Sequence, residues 1–142
     1  MTLSNIPRTH QYLRAVASLG PFEGVADFYA PDVIIQEFPN RIAPQGRVRR
    51  AADLRAAYEQ GRKILHSQTY KVQRIFEAGD DVVAELEWTG ILAIPVMDLP
   101  AGSEMKAFVA MFLTFRDGRI ASQRNYDCYP PLVPQPAPDD PI

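Results

Sequence analysis

Two carboxylates stand out by type and by strand parity. Glu37 lies in the run Val33-Ile34-Ile35-Gln36-Glu37-Phe38 and shares parity with Val33 and Ile35, so an acid is aimed at the side taken by two β-branched residues. Asp127 closes the last strand-like run of the chain, where Gln123, Asn125 and Asp127 share a face opposite Arg124 and Tyr126. Desolvation in apolar surroundings raises a carboxyl pKa, and a second carboxylate in the same enclosure raises one of the pair further. Such groups exchange protons near neutral pH, so their chemistry is general acid/base catalysis. The other reactive types read more plainly. His10 and His66 are far apart, with no metal-ligand spacing, and no metal or cofactor is expected. His66 follows a helix, where a partly charged imidazole favours the C-terminal end of the dipole. Cys128 has parity opposite to Asp127 and packs at the strand end, and nearby carboxylates discourage its thiolate. Arg47, Arg49, Arg50 and Arg55 read as the solvated start of a helix, with an anion site as the minority reading.

The elements that must position these acids follow from the hydrophobic period, which changes once along the chain. Ile6, Leu13, Val16 and Leu19 mark a first helix, with Asn5 as N-cap, Pro7 near the first helical position and Gly20 as its stop. Phe22, Val25, Phe28 and Tyr29 mark a second, shorter helix ended by Pro31. Val33–Phe38 is β-branched and bounded by prolines, so it reads as a strand. A third helix runs from Arg49 to Leu65, with Gly61 weakening its last turn by about 1 kcal/mol relative to alanine. Four strands follow, over Gln68–Glu77, Val82–Ile94, Lys106–Phe115 and Arg119–Tyr126. Helices first and an antiparallel meander after, with no β-α-β alternation, give an α+β fold with the helices on one face of a bent sheet.

Val82, Ala84, Leu86 and Trp88 share one side of their strand and Glu85, Glu87 and Thr89 the other, as a half-buried strand requires. The next strand is apolar on both sides. Ala107, Val109, Met111 and Leu113 alternate with Phe108, Ala110 and Phe112, so its outer face is expected to be covered by a second subunit.

Composition narrows the remaining classes. A chain of 142 residues with 46% apolar residues is one average domain that needs no crosslink to fold, and one cysteine excludes an intrachain disulfide framework. Lys+Arg 15 against Asp+Glu 17 leaves no basic tract for a phosphate backbone, so nucleic acid is not an expected partner. No stretch is long and apolar enough for a membrane span and no secretory signal is evident, so a cytoplasmic protein is expected. Residues 1–129 read as the domain and 130–142, with Pro130-Pro131 and the alternation Pro134, Pro136, Pro138, as an extended tail.

Local strings then carry a family resemblance. Phe28-Tyr29-Ala30-Pro31-Asp32-Val33, Ala57-Tyr58-Glu59-Gln60-Gly61, Glu87-Trp88-Thr89-Gly90 with Ile94-Pro95 and Pro100-Ala101-Gly102, and Phe115-Arg116-Asp117-Gly118-Arg119-Ile120 before Arg124-Asn125-Tyr126-Asp127 occur in a specific order. Over roughly residues 6 to 129 the chain resembles the nuclear transport factor 2-like superfamily, in its SnoaL-like polyketide cyclase and ketosteroid isomerase-related branch. The resemblance implies three N-terminal helices packed on a strongly curved, mainly antiparallel sheet, a cone around one apolar pocket. It implies pocket lining by Val33, Ile35, Val82, Ala84, Leu86, Trp88, Val109, Met111, Leu113 and Gln123.

By the same resemblance the Gln123 to Asp127 face is the pocket face, Glu37 lies near the general-base aspartate of ketosteroid isomerase, and Tyr12 near its oxyanion-hole tyrosine. Met111 stands where that enzyme has a protonated aspartate and donates no hydrogen bond, which disfavours steroid isomerisation. Asn125 in Arg124-Asn125-Tyr126 takes no proton from water, which disfavours epoxide hydrolysis. What the resemblance leaves is proton abstraction beside a carbonyl, without cofactor, with Asp127 or Glu37 as base and Tyr12 with Asn125 holding the carbonyl oxygen. The alternative is a non-catalytic module of the same fold that binds a small apolar ligand or only dimerises.

Overall fold

The computed structural model describes residues 3–131. The proline-rich tail, beyond Pro130 and Pro131, lies outside the described residues. Helix α1 (Ile6–Ala17) has Pro7 in its first turn, where a missing N–H costs nothing. Asn5 holds the N-cap position, but its side chain makes no cap hydrogen bond. Ser4 Oγ instead accepts from the Ile6 N–H at 3.1 Å, and Glu77 Oε2 accepts from the Asn5 N–H at 3.0 Å. The left-handed turn after the helix falls on Leu19 rather than Gly20. The second helical segment consists of two 3-10 turns, Phe22–Gly24 and Ala26–Phe28. Gly24 ends the first turn, and the chain goes straight from Phe28 into a strand.

That strand, β1 (Tyr29–Glu37), starts earlier than its proline boundary predicts. Its pairing shifts register between Tyr29 and Ile34, and the irregularity takes up Pro31, which has no N–H to give a ladder. A strand absent from the sequence reading follows, β2 (Arg47–Arg50). It pairs antiparallel with β1 and forms one edge of the sheet. Its string Arg-Val-Arg-Arg is short and charged, as edge strands are, and therefore lacks the apolar alternation by which strands are recognised. Helix α2 (Ala51–Ile64) begins where the backbone N–H of Arg50 meets Asp53 Oδ2 at 2.8 Å.

The meander is β3 (Leu65–Ala78), β4 (Asp81–Leu92), β5 (Glu104–Arg116) and β6 (Arg119–Cys128), each antiparallel to the next. The sheet order is β2-β1-β6-β5-β4-β3, with β1 parallel to β6, so the sheet is curved and mixed and does not close into a barrel. This is the α+β cone that the resemblance implies. Helix α1 packs against β3, and α2 against β1, β2 and β3. Between helices and sheet lies a core containing Leu13, Val33, Leu86, Leu113 and Ile120. Among the described residues no helix is long and apolar enough to cross a membrane.

Candidate active site in the sheet concavity

Register alone assembles the inner face. One row across the sheet reads Arg49, Ile35, Gln123, Leu113, Val82, and the next reads Arg47, Glu37, Asn125, Met111, Ala84. A third joins Asp127, Val109, Leu86 and Val72, and a fourth joins Ala107, Trp88 and Tyr70. The side chains of a row share a face because pleated neighbours point the same way. Glu37 and Asp127 are thereby brought onto one concave surface from opposite ends of the chain.

Above that surface lies a cavity with two lobes. The outer lobe, about 610 Å³, is lined by Glu37, Arg47, Trp88, Val109, Met111, Asn125, Asp127 and Tyr129 among others. The inner lobe, about 270 Å³, is lined by Tyr12, Tyr29, Ile35, Tyr58 and Gln123 among others. Glu37, Arg49, Ala57, Gly61, Leu65, Gln68, Tyr70 and Asn125 belong to both, so the lobes share a neck.

Asp127 is the unusual group. Its Oδ1 is buried and has no hydrogen-bond partner among the described residues. Burial, and then the negative charge of Glu37, push its carboxyl up to about 6. Glu37 differs in its surroundings, because Asn40 Nδ2 donates to its Oε2 at 2.7 Å and to the Phe38 carbonyl at 2.9 Å. Asn40 Oδ1 in turn accepts from the N–H groups of Ile42 and Ala43, at 2.9 and 3.0 Å. This loop folds back so closely that a Cβ on Gly46, at φ +68°, would lie 2.7 Å from the Glu37 carbonyl oxygen, so only glycine fits there. The two acids therefore do different work: one is clamped, the other left without a partner.

A chain of hydrogen bonds sets the amide between them. Tyr12 donates to Gln123 Oε1 at 2.7 Å, so Tyr29 is the donor in the 2.9 Å bond between the two phenols. Gln123 Nε2 then donates to Asn125 Oδ1 at 3.2 Å. The Oδ1 end of Asn125 is thus occupied, and its Nδ2 hydrogens have no partner among the described residues. Tyr12 does not serve as a carbonyl-binding donor, because its single proton is already given to Gln123. Its burial, followed by Tyr29, raises its pKa well above the ordinary phenol value. Burial also pushes Tyr29 up to about 12.

Tyr70 and Tyr129 were not singled out from the sequence. Both phenols are pushed well above their usual range, by burial first and then, respectively, by Tyr29 and by Asp127. They stay protonated donors beside the acids. Tyr70 was legible from its parity with Val72 but reads there as core, whereas Tyr129 lies past the end of β6, where strand period no longer applies.

The other expected lining residues divide. Trp88, Val109 and Met111 line the outer lobe, and Ile35 and Gln123 the inner. Val33, Val82, Ala84, Leu86 and Leu113 line neither; they are at most 1% exposed and form the core. There side-chain packing fills the space, against Leu13, Phe115 and Ile120 among others. Arg47 and Arg49 belong to β2 rather than to the helix start, and the pairing of β2 with β1 brings both to the cavity, Arg47 at an exposed position and Arg49 half-buried. Arg55 is paired instead with Glu23 at 2.8 Å. Cys128 is exposed on the opposite face, and His66 is exposed at the start of β3. Among the described residues no three His, Cys, Asp or Glu side chains cluster as metal ligands do.

Solved structures share this architecture. IdmH, a polyketide cyclase candidate from Streptomyces antibioticus, is 22% identical with a TM-score of 0.73, over 88% of this chain and 92% of that one. An LEH-like epoxide hydrolase of M. tuberculosis is 17% identical with a TM-score of 0.66, over 89% and 82%. An NTF2-like protein of unknown function from Cytophaga hutchinsonii is 14% identical with a TM-score of 0.60, over 89% and 92%. At these identities the likeness is one of fold. No curated protein matches the chain. The SnoaL-like domain family matches residues 9–123, from within α1 to the middle of β6 and across most of the cavity wall, and the chain belongs to that family.

Proposed function

We propose that the cavity is the active site of a cofactor-independent enzyme that moves a proton next to the carbonyl of an apolar substrate, as an isomerase, cyclase or dehydratase step requires. The observation that carries this reading is the part-buried carboxyl of Asp127, whose Oδ1 has no partner among the described residues and which burial pushes up to about 6, on the same strand face as Asn125. In its ionised form Asp127 takes the proton from the carbon adjacent to the carbonyl. The Nδ2 of Asn125 donates to the oxygen as negative charge develops there, and Asp127 returns the proton to the product. Trp88, Val109 and Met111 supply apolar surface for the substrate body, with Tyr70 and Tyr129 as further donors.

Solvent-deuterium uptake at the acetyl methyl of para-acetylbiphenyl, followed by proton NMR, tests it. The protein is expected to speed exchange above buffer, and Asp127→Asn to abolish that gain with the fold intact. Binding of the ketone without any exchange would return the chain to a ligand-carrying role.

We also propose that a second copy covers the outer sheet face. Phe108 is 51% exposed and Tyr126 45%, and Tyr126 stacks on Phe38 at 4.4 Å and meets Phe112 edge-on at 5.7 Å. These residues sit on adjacent strands, so they form one apolar patch of the kind that marks an interface. Sedimentation at micromolar concentration should give twice the chain mass; a monomer sinks the idea.

A further inference from the structure

The inner lobe holds a feature that proton transfer at Asp127 does not use. The hydroxyl of Tyr58 is buried and has no hydrogen-bond partner among the described residues, although buried polar atoms are nearly always paired. The neighbouring phenols are not equivalent to it, because Tyr29 donates to Tyr12 and Tyr12 to Gln123. The lining residues that belong to this lobe alone carry no charge. Gly61 lies at the neck, inside α2, where glycine is unfavourable relative to alanine. Nothing in its backbone or its surroundings demands glycine, since it has no left-handed φ and an added Cβ would meet nothing within 4 Å. What the missing side chain does leave is free space at a position that borders both lobes.

We propose that the inner lobe is a second binding subsite, which takes the neutral, oxygen-bearing far end of an elongated ligand on the Tyr58 hydroxyl, with Gly61 keeping the neck open. The ligand class is then an extended apolar frame with a carbonyl at one end and a hydroxyl or keto oxygen at the other. This rests on the reading of the outer lobe as the reacting end, but it concerns binding and stands or falls without turnover.

The chain has one tryptophan, Trp88, which lines the outer lobe, so its fluorescence reports occupancy. Affinities are measured for acetophenone, para-acetylbiphenyl and the biphenyl bearing a hydroxyl at the far para position, with the wild-type chain and with Asp127→Asn. The hydroxylated biphenyl should bind about three- to tenfold tighter than the plain one in both proteins, as one hydrogen bond allows. Tyr58→Phe should remove that preference and leave the plain biphenyl unchanged. Gly61→Leu should weaken both biphenyls at least tenfold and spare acetophenone, which needs only the outer lobe. Gly61→Ala, which the helix favours, should act in the same direction with a smaller factor. Equal affinity of the two biphenyls, a preference that survives Tyr58→Phe, indifference to Gly61→Ala, or no binding of either biphenyl overturns the proposal. Absence of exchange by the wild-type chain with the hydroxyl preference intact would refute the catalytic reading alone.

Discussion

Along the inner face of the sheet, Val82 on β4 and Leu113 on β5 have no measurable exposure, whereas toward the other edge Met111 on β5, Asn125 on β6 and Glu37 on β1 border a cavity. Both regions are pleated strands of one sheet. What differs is satisfaction. Among the described residues, the buried side-chain polar atoms without a partner, Asp127 Oδ1 and the Tyr58 hydroxyl, both belong to residues that line the cavity. Unmet polar groups cost stability, so where they collect the chain has given up packing for chemistry.

That contrast breaks most sharply at Asp127. Asp127→Asn is expected to lower the exchange rate by about 10²- to 10⁴-fold, the range for losing a positioned acid or base, with the fold intact. Retained exchange would move the base to Glu37. The packed region should behave in the opposite way. Leu113→Ala should destabilise by about 2–5 kcal/mol in chemical denaturation, as a cavity in a close-packed core does, with exchange per folded molecule nearly unchanged. A cost under about 1 kcal/mol would mean that this region is as loose as the site.

The smallest effect is the pH dependence that separates wild type from Asp127→Asn. Because the folded carboxyl holds its proton up to about 6, against 3.8 in the ordinary group, its contribution to stability is complete below about pH 4 and is lost as pH rises through 6. The variant has no such loss. Above pH 7 it should therefore be more stable than wild type by about 1–2 kcal/mol, less than the full linkage value because the site opens to water. Parallel stability curves from pH 4 to 8 would show an unshifted carboxyl.

Much of the fold was legible in the sequence because it is built from periods. Val82 to Trp88 alternates and Leu54 to Leu65 follows helical spacing, and both became the expected elements. What escaped lacks period. β2 is four residues of mostly charge, and the second helix contracts to 3-10 turns around Gly24. In the site, parity put Asn125 and Asp127 on one face of their strand, because alternation is a property of each strand alone; that this face borders the cavity, with Glu37 beside it, came from the resemblance and from strand pairing. Parity did not show that Tyr12 gives its proton to Gln123, since that depends on how far helix and sheet stand apart. Nor did it bring Arg47 and Arg49 to the cavity, which only the pairing of β2 with β1 decides.

The parallel pairing of β1 with β6 has a consequence for the order in which the molecule is made. β3 to β6 are joined by successive hairpins and can form from local contacts, but β1 must wait for the last strand, since Glu37 pairs beside Asn125 across most of the chain. During synthesis the Glu37 strand therefore leaves the ribosome long before its neighbour exists. The core of the meander is independent of that event, and the two acids are not. The cavity wall is therefore complete only once β6 has paired with β1, and β2, which carries Arg47 and Arg49, forms one edge of the sheet.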